Sequence, residues 1–397
     1  MKTEHYLILS LIFLSILSGA MYYNTVLVDT QAYVPSVYYL QDKSLQDDDI
    51  TRVETSYAFK RPVEIAFASI IEPIIGVRQS YSLTNLILLC ITSVLTYFYL
   101  RKLFKNHEQK QLIAYVGAIL CATALPLIIY ATRVLVDVAG YVTLLLGLII
   151  IDYFLEKKYP LWTDHLKISL LIGFFLLVRD AAVILYPYYI LKFLLRRGFN
   201  LNYMSKKIWS LWPLIFTLVP QLIFMWWFDV GFLLAGKSTM ITSGKYSLLG
   251  WLKFFIVHFA AFHIAWLFAI LGLINDKDKT RRFFYSIFSL SAVIYLVGIQ
   301  FVALTSPRFS MVLFPVVFAL AAYGIIIIAD KLSDKIRIIK INQTTIILVL
   351  LVIYASISFI GAWLYPAHGL ISEDAGGDIV LKAVFNEIQL KIGGLFA

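Results

Sequence analysis

One carboxylate and three arginines stand apart in this sequence by where they fall. Asp29 lies a few residues beyond a first apolar run, Tyr6 to Tyr23, at the head of a polar loop spanning residues 24–79. Arg133, Arg179 and Arg308 each sit in a short turn between apolar runs: Ala131-Thr132-Arg133-Val134-Leu135-Val136-Asp137, Val178-Arg179-Asp180 and Thr305-Ser306-Pro307-Arg308-Phe309. A carboxylate at a membrane surface can take the proton of a hydroxyl within hydrogen-bond reach. Arginine suits phosphate, because its planar fork donates paired, charge-assisted hydrogen bonds. A base beside an anion site is the chemistry these residue types support. Each arginine also has a structural alternative: anchoring at the interface, or pairing, as Arg133 with Asp137 four residues on and Arg179 with the adjacent Asp180.

The elements that must hold these residues are apolar. Of the 397 residues 60% are hydrophobic and only 15% charged, whereas soluble domains are about half apolar and a quarter charged. Repeated runs of ~20 apolar residues mark membrane helices. The expected fold class is all-α: a polytopic membrane protein of about 11 transmembrane segments in one body over residues 1–365, followed by a short tail, 366–397. The segments are Tyr6–Tyr23, Ser80–Leu100, Gln111–Tyr130, Val138–Leu155, a split pair within Lys167–Leu195, Ile208–Phe228, Trp251–Ile274, Phe283–Leu304, Phe309–Ala329 and Thr344–Leu364. The first is expected to be an uncleaved span rather than a signal peptide ending at Ala20.

The split pair is the most informative. Lys157-Lys158 precede it and Arg196-Arg197 follow it, so both ends lie on one side. The chain must enter and return within 29 residues, where two full spans need ~40. Each half rises only ~21 Å, so the Val178-Arg179-Asp180 turn ends short of the far surface and must line a cavity or meet protein partners.

Charge sets the orientation. With the N-terminus cytoplasmic, 21 of the 34 Lys and Arg residues gather on that side, in short loops and at span ends. The first loop, the Arg133 and Arg308 turns and the tail then face outward. This scatter excludes a nucleic-acid surface, which needs clustered, water-exposed cations. Within the first loop, Arg61 to Val77 has helical spacing, with Glu64, Ala68 and Glu72 on one stripe among isoleucines. It is expected to lie along the membrane surface as an amphipathic helix, and Asp378, Lys382, Asn386 and Gln389 repeat the pattern in the tail. Asp47-Asp48-Asp49 reads as a solvated turn or, less well, as a site for Mg²⁺ or Mn²⁺. His258 and His263, five apart, fall on different helix faces, and Cys90 and Cys121 are packing residues inside apolar runs. No phosphate-binding Gly-rich loop, dinucleotide fingerprint, zinc-protease helix or nucleophile elbow is present.

Motif order then carries a resemblance. Asp29 with Tyr33 follows the first span, and Arg61-Pro62 opens a surface helix leading through Arg78 to Asn85 and a span ending in Arg101-Lys102-Leu103-Phe104. Arg133 and Asp137 join spans 3 and 4, Arg179-Asp180 caps the broken pair, and Arg308-Phe309 with Pro315 forms a late turn. In this order the chain, from about Tyr6 to Leu364, resembles the GT-C-type membrane glycosyltransferases, the clan of the protein O-mannosyltransferases and lipid A aminoarabinose transferases. It departs in having Thr30 where the family often pairs Asp with Glu, and in its short tail. The resemblance implies transfer of a sugar from a polyprenyl-phosphate carrier to a glycan, lipid or protein acceptor outside the cytoplasm. Asp29 would be the base of an inverting displacement. Arg179 and Arg308 would be the first choices to meet the departing phosphate and Arg61 and Arg133 the second, with Tyr33, Asp137 and Asp180 completing the substrate-binding set. No cofactor and no metal are expected. A transporter or flippase for a lipid-linked or anionic solute is the main alternative, followed by a polysaccharide polymerase or ligase and a non-catalytic subunit. An inverted repeat would favour the transporter, and none is visible.

Overall fold

The computed structural model describes residues 2–21, 30–41, 43, 61–131, 133, 136–156, 160–196, 199–228, 248–302, 307–335 and 342–364. Asp29, the Asp47 to Asp49 run and the tail from Tyr365 therefore lie outside the described residues. The described chain is helical, without strands, as expected for apolar segments that must satisfy their own backbone groups. The helices are α1 (Lys2–Met21), α2 (Thr30–Leu40), α3 (Pro62–Ile75), α4 (Val77–Leu103), α5 (Lys110–Ala122), α6 (Leu125–Tyr130), α7 (Asp137–Glu156), α8 (Trp162–Leu176), α9 (Leu185–Leu194), α10 (Leu201–Ile208), α11 (Val219–Phe228), α12 (Leu248–Ala260), α13 (Ala265–Asn275), α14 (Lys279–Val302), α15 (Phe314–Lys335) and α16 (Gln343–Leu364). Tighter 3₁₀ segments run over Asp180–Ile184, Trp209–Leu218 and Pro307–Leu313.

Among the described residues five helical stretches are long and apolar enough to cross a membrane: Val77–Leu103, Asp137–Glu156, Leu201–Trp227, Arg308–Asp334 and Gln343–Trp363. A sixth arises if Phe254–Ala260 and Ala265–Asn275, bent by 84° against each other, count as one broken span. That bend corrects the expectation of a continuous segment from Trp251 to Ile274. Its corner contains His263, at φ 36°. The expected segment Gln111–Tyr130 is likewise interrupted at Thr123-Ala124, where Pro126 opens α6 because its ring cannot continue the preceding ladder. The split pair does break where its length requires, with Leu177, Val178 and Arg179 separating α8 from the following 3₁₀ turn.

The surface helix α3 is present. Its stripe of Glu64 and Ala68 is buried together with Ile65. Phe67, Ile70 and Ile74 face outward, with Ile74 82% exposed. The reason is the solvent: beside a membrane, an amphipathic helix presents its apolar face to lipid and its polar stripe to the protein. Glu72, at the edge of the stripe, pairs with Lys43 at 2.7 Å, and Gln41 donates to the Ser69 carbonyl, which ties α2 to α3.

The body has two distinct ends. At one, Arg101 pairs with Glu4, Lys102 with Glu156, and Arg281 with the buried Asp276 at 2.7 Å. At the other, α4 and α7 begin and α3 packs against α4. The described candidate site residues gather at this second end.

Candidate active site

Six of the residues singled out by sequence form one hydrogen-bonded and ion-paired chain across the start of α7, the α2–α3 surface layer and two breaks. Tyr33, fully buried on α2, accepts a 3.3 Å hydrogen bond from Arg61 Nη1. Arg61 stands at the N-terminus of α3, where Pro62 fixes the helix start. Its Nη2 lies 3.2 Å from Asp180 Oδ1. The same oxygen receives Arg179 Nε at 3.2 Å, and Arg179 Nη2 reaches Asp137 Oδ1 at 2.8 Å. Arg308 Nη1 closes the chain 4.0 Å from Asp137 Oδ2.

Each side chain is placed by a local device. Asp137 occupies the first turn of α7, where the helix dipole favours negative charge. Arg179 emerges from the break after α8 in extended backbone and runs along α7 at Gly140. A Cβ at that glycine would fall 2.5 Å from Arg179 Cγ, so glycine is what lets the arginine reach Asp137. Arg308 sits in the 3₁₀ segment Pro307–Leu313, which is fastened by a hydrogen bond between Ser310 and His258 of α12. Phe309 lies between two guanidiniums, 5.8 Å from that of Arg179 and 5.2 Å from that of Arg308. Cation–π contact at these distances adds to the positioning.

The arrangement is nearly closed. Arg61, Asp137, Arg179 and Asp180 are all buried, whereas the Arg308 side chain is 22% exposed. A recess with about 290 Å³ of empty space, part of it open to solvent, is bounded by Asp137, Gly140, Arg179, Tyr295, Arg308 and Phe309. Desolvated arginines around such a recess are strong donors to an anion that can displace a carboxylate from them.

Arg133 is fully buried. Its carbonyl accepts a 2.9 Å hydrogen bond from Asn85 of α4, and its guanidinium lies 5.5 Å from the Tyr130 ring centroid. The alternative of Arg133 as the helical partner of Asp137 gives way to Arg179, the closest described partner of that carboxylate. His258 and His263 reach separate serines, Ser310 and Ser358. Among the described residues no three His, Cys, Asp or Glu side chains cluster as a metal site would require. One contributor escaped the sequence reading. Gly140 carries no signal without knowledge of the Arg179 path.

No family model and no curated protein sequence matches the chain. Solved structures do. ArnT from Cupriavidus metallidurans, solved bound to undecaprenyl phosphate, superposes with a TM-score of 0.57 at 11% identity, over 91% of this chain and 76% of that one. An Archaeoglobus fulgidus oligosaccharyltransferase, in complex with zinc and sulfate, aligns at a TM-score of 0.49 and 13% identity, over 90% of this chain and 52% of that one. With the apolar helices, the first likeness makes the chain a multi-pass membrane protein with the helical GT-C fold.

Proposed function

We propose that the chain is a membrane glycosyltransferase that moves a sugar from a polyprenyl-phosphate carrier to a hydroxyl of a glycan, lipid or protein acceptor, on the extracytoplasmic face. The observation that carries this reading is the arginine chain: Arg61, Arg179 and Arg308, brought together from three separate segments through Asp180 and Asp137, with Arg179 and Arg308 lining a recess. The fold shared with a transferase solved with a polyprenyl phosphate adds support.

The chemistry is an inverting displacement. Asp29, which lies four residues before Tyr33 in the chain, takes the proton of the acceptor hydroxyl. The hydroxyl oxygen attacks the anomeric carbon as the bond from that carbon to the phosphate oxygen breaks. The bonding pair leaves with the phosphate, and Arg308 and Arg179 meet the charge that develops there. Arg61 steadies Asp180 and with it the orientation of Arg179. The positive charge this reaction needs is supplied by guanidiniums, so we propose that transfer needs no metal.

The test is transfer by purified protein in lipid, with a panel of polyprenyl-phosphate sugars and excess chelator. The wild type is expected to turn over one donor. Asp29→Asn should lower turnover by about 10²–10⁴-fold, the usual worth of a general base, while still binding the carrier lipid. Full turnover in Asp29→Asn would remove Asp29 as the base. The bent α12–α13 pair is the feature that also suits a transporter. Vectorial movement of a lipid-linked sugar across vesicles, without transfer, would favour that reading.

A further inference from the structure

Two residues that border the recess each carry a polar atom that no described side chain satisfies. Tyr295, on α14, is 8% exposed, and its hydroxyl has no hydrogen-bond partner among the described residues. Asp137 borders the same recess. Its Oδ1 is engaged by Arg179 at 2.8 Å. Its Oδ2 has no hydrogen-bond partner among the described residues, and the 4.0 Å to Arg308 Nη1 is too long for one. Buried polar atoms in folded proteins are nearly always satisfied, so each exception calls for an explanation. The displacement uses neither atom.

Together they ask for something that a phosphate does not supply. A carboxylate oxygen only accepts hydrogen bonds, and a phosphodiester anion has no hydrogen to give it. A sugar hydroxyl donates to a carboxylate and can also accept from a phenol. The placement agrees with this division. Arg308 forms the more exposed edge of the recess, at 22%, while Asp137 and Tyr295 are buried. Because Asp137 Oδ2 lies 4.0 Å from Arg308 Nη1, a phosphate held by Arg308 brings the hydroxyls of its own sugar toward that oxygen. The empty space is about 290 Å³, just under the range of ~300–1,000 Å³ found for drug-sized ligands, which suits one ring rather than a prenyl chain. We propose that the recess is the subsite for the transferred sugar, and that Tyr295 is its specificity-determining residue. One ring hydroxyl donates to Asp137 Oδ2, and a second accepts from the Tyr295 hydroxyl.

The inference rests on the reading that the arginines hold the phosphate of a sugar donor, and its test separates the two. The probes are short prenyl phosphates carrying glucose, galactose, mannose, N-acetylglucosamine or arabinose, and the methyl ester of the same prenyl phosphate, which keeps the anion and lacks the sugar. Binding is measured on the purified chain in lipid. The wild type is expected to hold one sugar probe more tightly than the methyl ester. Y295F should weaken that probe by about 2- to 10-fold, the worth of one hydrogen bond, and leave the methyl ester unchanged. Among monodeoxy forms of the preferred sugar, one should bind wild type and Y295F equally, because the hydroxyl that meets Tyr295 is already gone. Without ligand, Y295F should unfold at the wild-type temperature or above it, since it loses only an unsatisfied hydroxyl. Equal losses on both probes, no loss on either, or a lower unfolding temperature would overturn the role of Tyr295. A wild type that holds the methyl ester as tightly as every sugar probe would overturn the sugar subsite and leave the anion site standing. Failure of the wild type to bind any probe would overturn the transferase reading, and this one with it. Tyr97→Phe is the control: that hydroxyl also lacks a described partner but does not border the recess. A loss of sugar binding there equal to that in Y295F would count against the subsite.

Discussion

The two arginines most exposed to function differ in what else they hold up. Arg179 is buried against two carboxylates, Asp137 and Asp180, while Arg308 is partly exposed and lies 4.0 Å from Asp137. Removing a partner from a buried ion pair leaves an uncompensated charge and costs about 3–5 kcal/mol. Losing a charge-assisted hydrogen bond to a ligand costs about 1.5–3 kcal/mol, or about 10- to 150-fold in affinity. Arg308→Ala should therefore weaken carrier-phosphate binding by that factor with little change in thermal unfolding. Arg179→Ala should instead destabilise the solubilised protein as well. Equal losses of stability in both variants would contradict this division. Both arginines were legible in the sequence because a charged side chain in a short turn between apolar runs has few places to go. The direction of Glu64 was not. A polar stripe names a face without saying whether water or protein lies against it, and near a membrane the two choices exchange.

Among the elements, the pair α13 and α15 packs most closely. Gly272 and Gly324 face each other across it: a Cβ on Gly272 would come within 2.0 Å of the Leu320 carbonyl oxygen, and one on Gly324 within 2.0 Å of that of Phe268. Small residues let helix backbones approach in this way, and packing is what drives association when lipid removes the hydrophobic difference. Gly324→Ala should destabilise by about 1–3 kcal/mol through overpacking, lowering the midpoint of thermal unfolding in detergent. Gly298 on α14 is the control, because a Cβ there meets nothing within 4 Å. Gly298→Ala should be neutral, or stabilising by up to about 1 kcal/mol from helix propensity. A tolerant Gly324 would mean that the two helices separate easily. The split pair could be foreseen from length alone, since 29 residues cannot cross twice. The 84° bend before α13 could not: Phe259 through Trp266 is apolar apart from His263 and has neither proline nor glycine, and the corner is fixed by tertiary contacts such as that of His263 with Ser358 and Tyr354.

At the scale of the whole molecule, the site and the basic pairs occupy opposite ends. α4 runs from Val77, beside the surface helix, to Leu103, a rise of about 40 Å at 1.5 Å per residue, enough to cross a bilayer. Arg101 and Lys102 mark its far end and Arg281 lies against Phe104 there. Lys and Arg are retained on the cytoplasmic side of short loops, so we propose that the Arg61, Arg179 and Arg308 end faces outward, toward an extracytoplasmic acceptor. Cysteine labelling in intact cells tests the orientation directly. Gln79 and Lys279 are exposed at the two ends, and the native Cys90 and Cys121 lie within the helical body, where a polar reagent does not reach. A membrane-impermeant maleimide should label Gln79→Cys in intact cells and Lys279→Cys only after permeabilisation. The reverse result would put the site in the cytoplasm. The donor and acceptor would then have to meet on that side, and a reaction on an external glycan or protein would be excluded while the anion chemistry of the arginines stood unchanged.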